Sequence, residues 1–122
     1  MLKIAACGIV FVLMVPQVTL ADWVPVATGG GHATSVDDSS IVHRGNIASF
    51  WTRTNSATSF DGATEIRARM SINCNNGLQQ THFMAGYNEQ GIRVFGGSAD
   101  DTKPQRTAPG TVRAAIAEFV CQ

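Results

Sequence analysis

Charge of one sign is missing from this chain, since nine Lys or Arg offset nine Asp or Glu. A surface without a net field steers neither a phosphate backbone nor an anionic bilayer towards it, which sets aside nucleic-acid and membrane-surface partners. Metal-binding and catalytic patterns are missing too. His32, His43 and His82 form no HxH or HExxH pair, no CxxC occurs, and no GxSxG marks a serine nucleophile. Asp37-Asp38 and Asp100-Asp101 lack the alternating ligand spacing of a calcium loop and read as turn and capping residues. Gly29-Gly30-Gly31 precedes a strand rather than a helix, so it reads as a turn and not as a phosphate cradle. No nucleophile, base and orienting group can be assembled from motifs, and the expectation is a protein that is not an enzyme, with no cofactor and no bound metal.

Long apolar runs are missing after the first one. Met1-Leu2-Lys3 gives a short basic start, Ile4 to Val15 is apolar, Pro16-Gln17 breaks the run, and small residues Thr19 and Ala21 stand where a signal peptidase reads. Residues 1–21 are therefore read as an export signal and residues 22–122 as the mature domain, beginning at Asp22. The run falls short of the about 20 apolar residues that a spanning helix needs. No membrane span is expected after cleavage, and the expected location is the periplasm or the exterior, with display on the cell surface open.

Cysteine is scarce. Cys7 lies near the start of the apolar run, too early for lipid attachment, which leaves Cys74 and Cys121. In an oxidising compartment two cysteines have one pairing, so a Cys74–Cys121 disulfide is expected.

What the chain does have is alternation. Ile66, Ala68, Met70, Ile72 and Cys74 share one face of a period-2 run, and Glu65, Arg67, Arg69, Ser71 and Asn73 share the other. That is the pattern of an antiparallel strand buried on one side only, with Cys74 facing the core. Asn76-Gly77 then suits a two-residue turn. That loop sets Cys74 against Gln79, Met70 against Phe83, Ala68 against Ala85 and Ile66 against Tyr87, whereas a three-residue loop would turn Gln80 and His82 inward. Further strands are expected at Trp23 to Ala27, Ala33 to Val36, Ile47 to Thr54 and Ile92 to Phe95. Asn55 to Gly62 reads as a loop and Gly96 to Pro109 as a polar linker. Val112, Ala115, Ile116, Phe119 and Val120 change the period to that of a helix, with Thr111 as its N-cap. A helix this short is marginal alone and must dock. The expected class is α+β: a six-stranded antiparallel sheet with one C-terminal helix packed on one face and tethered by the disulfide. On the solvent face Arg67, Arg69 and His82, with Met84 beside them, form a candidate protein-binding surface, because interfaces favour Arg and Met. The stretches Asn55 to Thr64 and Gly96 to Ala108 are alternative contact sites.

An ordered set of segments resembles the surface-adhesin protein E family of exported bacterial domains. They are Trp23-Val24-Pro25-Val26, Val36-Asp37-Asp38-Ser39-Ser40-Ile41, Gly45-Asn46-Ile47 leading to Phe50-Trp51, the alternating strand ending at Cys74, Tyr87, Pro109-Gly110-Thr111 and Cys121. The resemblance spans nearly all of the mature domain and implies the same sheet and tethered helix. In function it implies an adhesin-like module that binds host extracellular-matrix or serum proteins such as vitronectin, laminin or plasminogen. The family's founding member is a lipoprotein, and here no cysteine is placed for lipidation. This favours, as the alternative, a periplasmic accessory or inhibitor protein that binds another bacterial protein. An open sheet edge would also admit a homodimer.

Overall fold

The computed structural model describes residues 20–100 and 102–122, so the expected export signal lies outside the described residues except for Leu20 and Ala21. The strands are β1 (Trp23–Gly29), β2 (His32–Asp37), β3 (Val42–Arg44), β4 (Ile47–Phe60), β5 (Ala63–Asn73), β6 (Leu78–Tyr87), β7 (Arg93–Ser98) and β8 (Gln105–Arg106), followed by the helix α1 (Val112–Val120). They form one antiparallel sheet along the path β1-β2-β4-β5-β6-β7, with β3 paired to β4 and β8 to β6. The six expected strands make that path, and the two short strands add to it. One edge, β1, carries Pro25 and an irregular register between Pro25 and Ala27.

Two stretches read as irregular are strand. β4 continues through the polar run Asn55 to Ser59 as far as Phe60, and the chain reverses at Asp61-Gly62. Both turn residues have positive φ, 47° and 84°, which is the type I′ geometry that matches strand twist. Serine and threonine read as loop formers, but β-branched threonine also suits a strand, and pairing decided the matter. Within the supposed linker, Gly96 to Ser98 complete β7, and Gln105–Arg106 form β8.

The register of the β5–β6 hairpin also differs from expectation. Residues 74–77 form a four-residue connection in which the Gly77 amide donates to the Asn73 carbonyl at 2.7 Å, and only Gly77 has positive φ, at 75°. Ile72 then faces Gln79 and Met70 faces Thr81. Gln79 is fully buried, and the structure meets the donor half of the cost of burying an amide, while Oε1 is buried without a partner among the described residues. Its Nε2 donates to the Arg113 carbonyl at 2.7 Å and to Thr107 Oγ1 at 3.1 Å.

The core lies on the face bearing the even-numbered residues of β4 and β5. Val36, Ala48, Phe50, Ala68, Met70 and Ile72 pack against Ile116 and Val120 of α1, with Val26 and Phe119 at the margin. Thr111 caps the helix by accepting from the Ala114 amide at 3.2 Å. Cys74 stands exposed, one residue past the end of β5, rather than on the core face of the strand. Its bond to Cys121 spans a Cα–Cα distance of 5.6 Å and fastens the far end of α1.

Where β2 ends, Asp37 is buried and caps the short turn Asp38–Ser40. Its Oδ1 accepts from the Asp22 amide at 2.9 Å, the Ser39 amide at 3.1 Å and Ser39 Oγ at 2.6 Å. Burial pushes the Asp37 carboxyl upward, but the bonds from Ser39, Asp22 and Ser40 outweigh it and hold the group below its ordinary value.

The disulfide closes a separation of 47 residues, for which chain entropy gives about 4 kcal/mol. We expect a Cys74→Ser/Cys121→Ser variant to lose about 2–4 kcal/mol in urea unfolding; a loss below about 0.5 kcal/mol would mean that α1 holds its place without the bond. Gln79→Ala should cost about 1–3 kcal/mol because it removes both bonds from the buried amide and leaves a void under the first turn of α1, and an unchanged urea midpoint would refute that role.

Candidate binding face

The odd-numbered residues of β4 and β5 point away from α1. Pairing sets Trp51, Arg69 and Phe83 in one row and Arg53, Arg67 and Ala85 in the next. Trp51 meets Phe83 edge to face at 5.8 Å. Arginines lie over the aromatic rings: Arg53 over Trp23 at 4.7 Å, Arg67 over Tyr87 at 5.3 Å and Arg93 over Phe83 at 5.4 Å. A guanidinium is weakly hydrated and planar, so it stacks at little desolvation cost and keeps its remaining N–H groups free to donate.

Electrostatically the face is undersupplied with carboxylate. Glu65 serves two arginines, with Oε1 3.7 Å from Arg53 Nε and Oε2 3.4 Å from an Arg67 terminal nitrogen. The Nε atoms of Arg53 and Arg67 are both buried without a hydrogen-bond partner among the described residues. Arg69 is exposed beside them. Between Trp23, Trp51, Arg67, Phe83 and Tyr87 lies a pocket of about 330 Å³, whose wall also includes Ala21 and Asp37.

Of the residues picked out from the sequence, Arg67, Arg69 and His82 do share this face, and Met84 does not. A bulge is the reason. Met70 pairs with Thr81 but Arg69 with Phe83, so His82 is an extra residue. His82 and Phe83 both face outward, and every later residue of β6 is displaced by one. Met84 therefore opposes Ala68 on the helix side. There it lines an apolar cleft of about 650 Å³ with Ala27, Phe60, Ala63, Ile66 and Val112. In the wall of that cleft Thr34 and Thr54 bond each other at 3.0 Å. The aromatic members of the outer face were missed in the sequence. Trp51 and Arg53 were legible from the alternation of β4, whereas Phe83 and Tyr87 were hidden by the register shift.

The structure also brings together three groups that no motif had joined. Ser71 Oγ lies 2.7 Å from His82 Nε2, and Asp100 Oδ1 lies 2.9 Å from His82 Nδ1. This is the connectivity of a hydrolytic triad. Ser71, however, is in mid-strand, paired on both sides with Ser49 and Gln80, so its main-chain amides are committed to the sheet ladders and not to an oxyanion. The network works as a tether instead. Ser98 Oγ donates to Asp100 Oδ2 at 3.0 Å and the Ala99 amide donates to the His82 carbonyl at 2.8 Å, holding the end of β7 on the sheet. Bonds from His82 and Ser98 hold the Asp100 carboxyl below its ordinary value, against a smaller upward push from desolvation, with the charges of His82 and Arg69 assisting.

Residues 23–122 match the model of the surface-adhesin protein E family, and the chain belongs to that family. Crystal structures of protein E from Haemophilus influenzae share its fold. The selenomethionine form is 18% identical with a TM-score of 0.57, covering 84% of this chain and 94% of that one. Protein E from the non-typeable organism is 18% identical with a TM-score of 0.59, covering 87% of this chain and 79% of that one. No curated protein sequence matches the chain.

The tether makes a local prediction. His82→Ala should raise amide exchange at Ala99 while leaving the urea midpoint nearly unchanged. Acid should do the same to the native protein. A carboxyl held low in the folded state contributes above its ordinary 3.8 and loses that contribution as pH falls through the folded value. Exchange at Ala99 that ignores both changes would show that the network holds nothing.

Proposed function

We propose that this domain is an exported, non-enzymatic, adhesin-like protein-binding module that engages its partner through the outer sheet face. Family membership supports binding as the general role. The observation that carries the choice of face is the set of arginines stacked on half-buried aromatic rings, with the Arg53 and Arg67 side chains still 29% and 44% exposed and one carboxylate, Glu65, between them. Aromatic and arginine anchors of this kind dominate interface energetics, and a partner's carboxylates would bond the exposed N–H groups of the guanidinium ions. The face carries Arg53, Arg67, Arg69 and Arg93 against Glu65, Asp100 and the pocket-lining Asp37, an excess of one positive charge, so an acidic partner surface suits it. Vitronectin, laminin and plasminogen are the candidates the family suggests. Among the described residues no helix is long and apolar enough to cross a membrane. A homodimer would use the β7 edge, since Pro25 and the irregular register interrupt the β1 edge.

In surface plasmon resonance with these three proteins, Arg67→Ala/Arg69→Ala should weaken binding at least about tenfold, and Trp51→Ala by a similar factor. The native protein's affinity should fall as salt rises, and that dependence should flatten in the double variant. Native-like affinity and salt response in the arginine variant would leave this face as solvated surface. Binding to a periplasmic protein but to none of the three would instead support the accessory reading.

A further inference from the structure

The main-chain nitrogen of Asp22 lies 2.9 Å from Oδ1 of Asp37. It belongs to the residue at which the mature chain is read to begin, and it meets a carboxylate that is only 8% exposed. In the uncut chain this nitrogen is a neutral amide. Asp22 is also held through its carbonyl, which accepts from the Asp38 amide at 2.8 Å. Its nitrogen is therefore fixed in place by the strand end and not by whatever precedes it.

We infer that cleavage between Ala21 and Asp22 builds a new ion pair, between the α-ammonium of Asp22 and the buried carboxylate of Asp37. The reaction is peptide hydrolysis by a signal peptidase with water as co-reactant. The C–N bond breaks, the water oxygen bonds to the carbonyl carbon of Ala21 to give a carboxylate, and the nitrogen leaves with Asp22 and is protonated. An α-ammonium has an ordinary pKa of about 8, and a carboxylate at hydrogen-bond distance favours its charged form. The neutral N–H···O bond thus becomes a charge-assisted one, and these are roughly twice as strong. Asp37 is prepared to receive it: Ser39 already orients the carboxylate through its amide and hydroxyl, the Ser39 and Ser40 bonds hold it ionised, and Ser40 Oγ donates to the Asp37 main-chain carbonyl at 2.7 Å and accepts from the Trp51 amide at 2.9 Å. The ion pair is tied through Ser40 to Trp51 on the outer face. The same cleavage takes Ala21 out of the wall of the pocket between Trp51, Phe83 and Tyr87. Maturation thereby locks the edge strand β1 and uncovers part of the binding face in one step. The inference rests on the export reading and not on the identity of any partner.

The test uses the exported, oxidised protein in three forms: native, with Gly-Ser inserted between Ala21 and Asp22 so that the mature chain carries an extension, and native with its α-amine acetylated. Intact mass of the native form should place Asp22 first; any other start overturns the inference. In urea unfolding the extended and acetylated forms should each show a folding constant about five- to tenfold smaller than the native form. In an Asp37→Asn background the three forms should unfold alike. Equal stability of the three forms with Asp37 present, or an undiminished difference with Asn at that position, overturns the ion pair. If the Asn variant does not fold, the rate of amine acylation decides in its place. The folded native amine should react about tenfold more slowly than an Asp-initiated peptide, and an equal rate overturns the claim. None of these measurements involves a binding partner, so their failure and a failure of the proposed adhesin role are distinguishable.

Discussion

Everything in this fold depends on a nine-residue helix remaining on the β4–β5 face. Such a helix has too few turns to persist in water, and the core has Ile116 and Val120 as its cover. Three attachments at different points solve the problem together. Side-chain burial acts along the helix, the disulfide fixes its last turn, and the Gln79 amide holds its first through the Arg113 carbonyl. The polar attachment adds direction, because a buried amide with two fixed acceptors admits one helix position where apolar contact alone would admit several.

Much of this was legible in the sequence. The alternation over residues 66–72, the change of period at Val112 and the cysteines Cys74 and Cys121 fix which face is buried, where the helix begins and what ties it down. Register was not legible, for a physical reason. The choice between hairpin loops turned on the cost of burying polar side chains, and that cost is small when partners distant in sequence supply the hydrogen bonds. Gln79 is bonded by Thr107 and Arg113, and nothing near Gln79 announces either. The bulge at His82 is equally silent, and it alone decides that Phe83 joins the arginines while Met84 leaves them. The tether of Ser71, His82 and Asp100 likewise crosses three strands, so no local spacing could mark it.

The two faces of the sheet differ in kind. The helix side is an apolar interior that opens into a cleft beside the first residue of α1, Val112. Among the described residues no element covers the outer side, and its order comes from arginines lying across aromatic rings. Stacking buries the stems and rings without consuming the N–H donors, so a surface organised in this way is rigid before a partner arrives and loses less freedom on binding.

The broken edge of the sheet has a consequence for the chain in transit. An exported protein meets other copies of itself while still incompletely folded, and a long flat strand edge would then template chain-to-chain pairing. Pro25 lacks the N–H that such pairing requires, and the slipped register beside it bends β1 away from a straight ladder. The sequence near the start of the domain thus acts as a guard against fibre formation, at the modest cost of a less regular first strand.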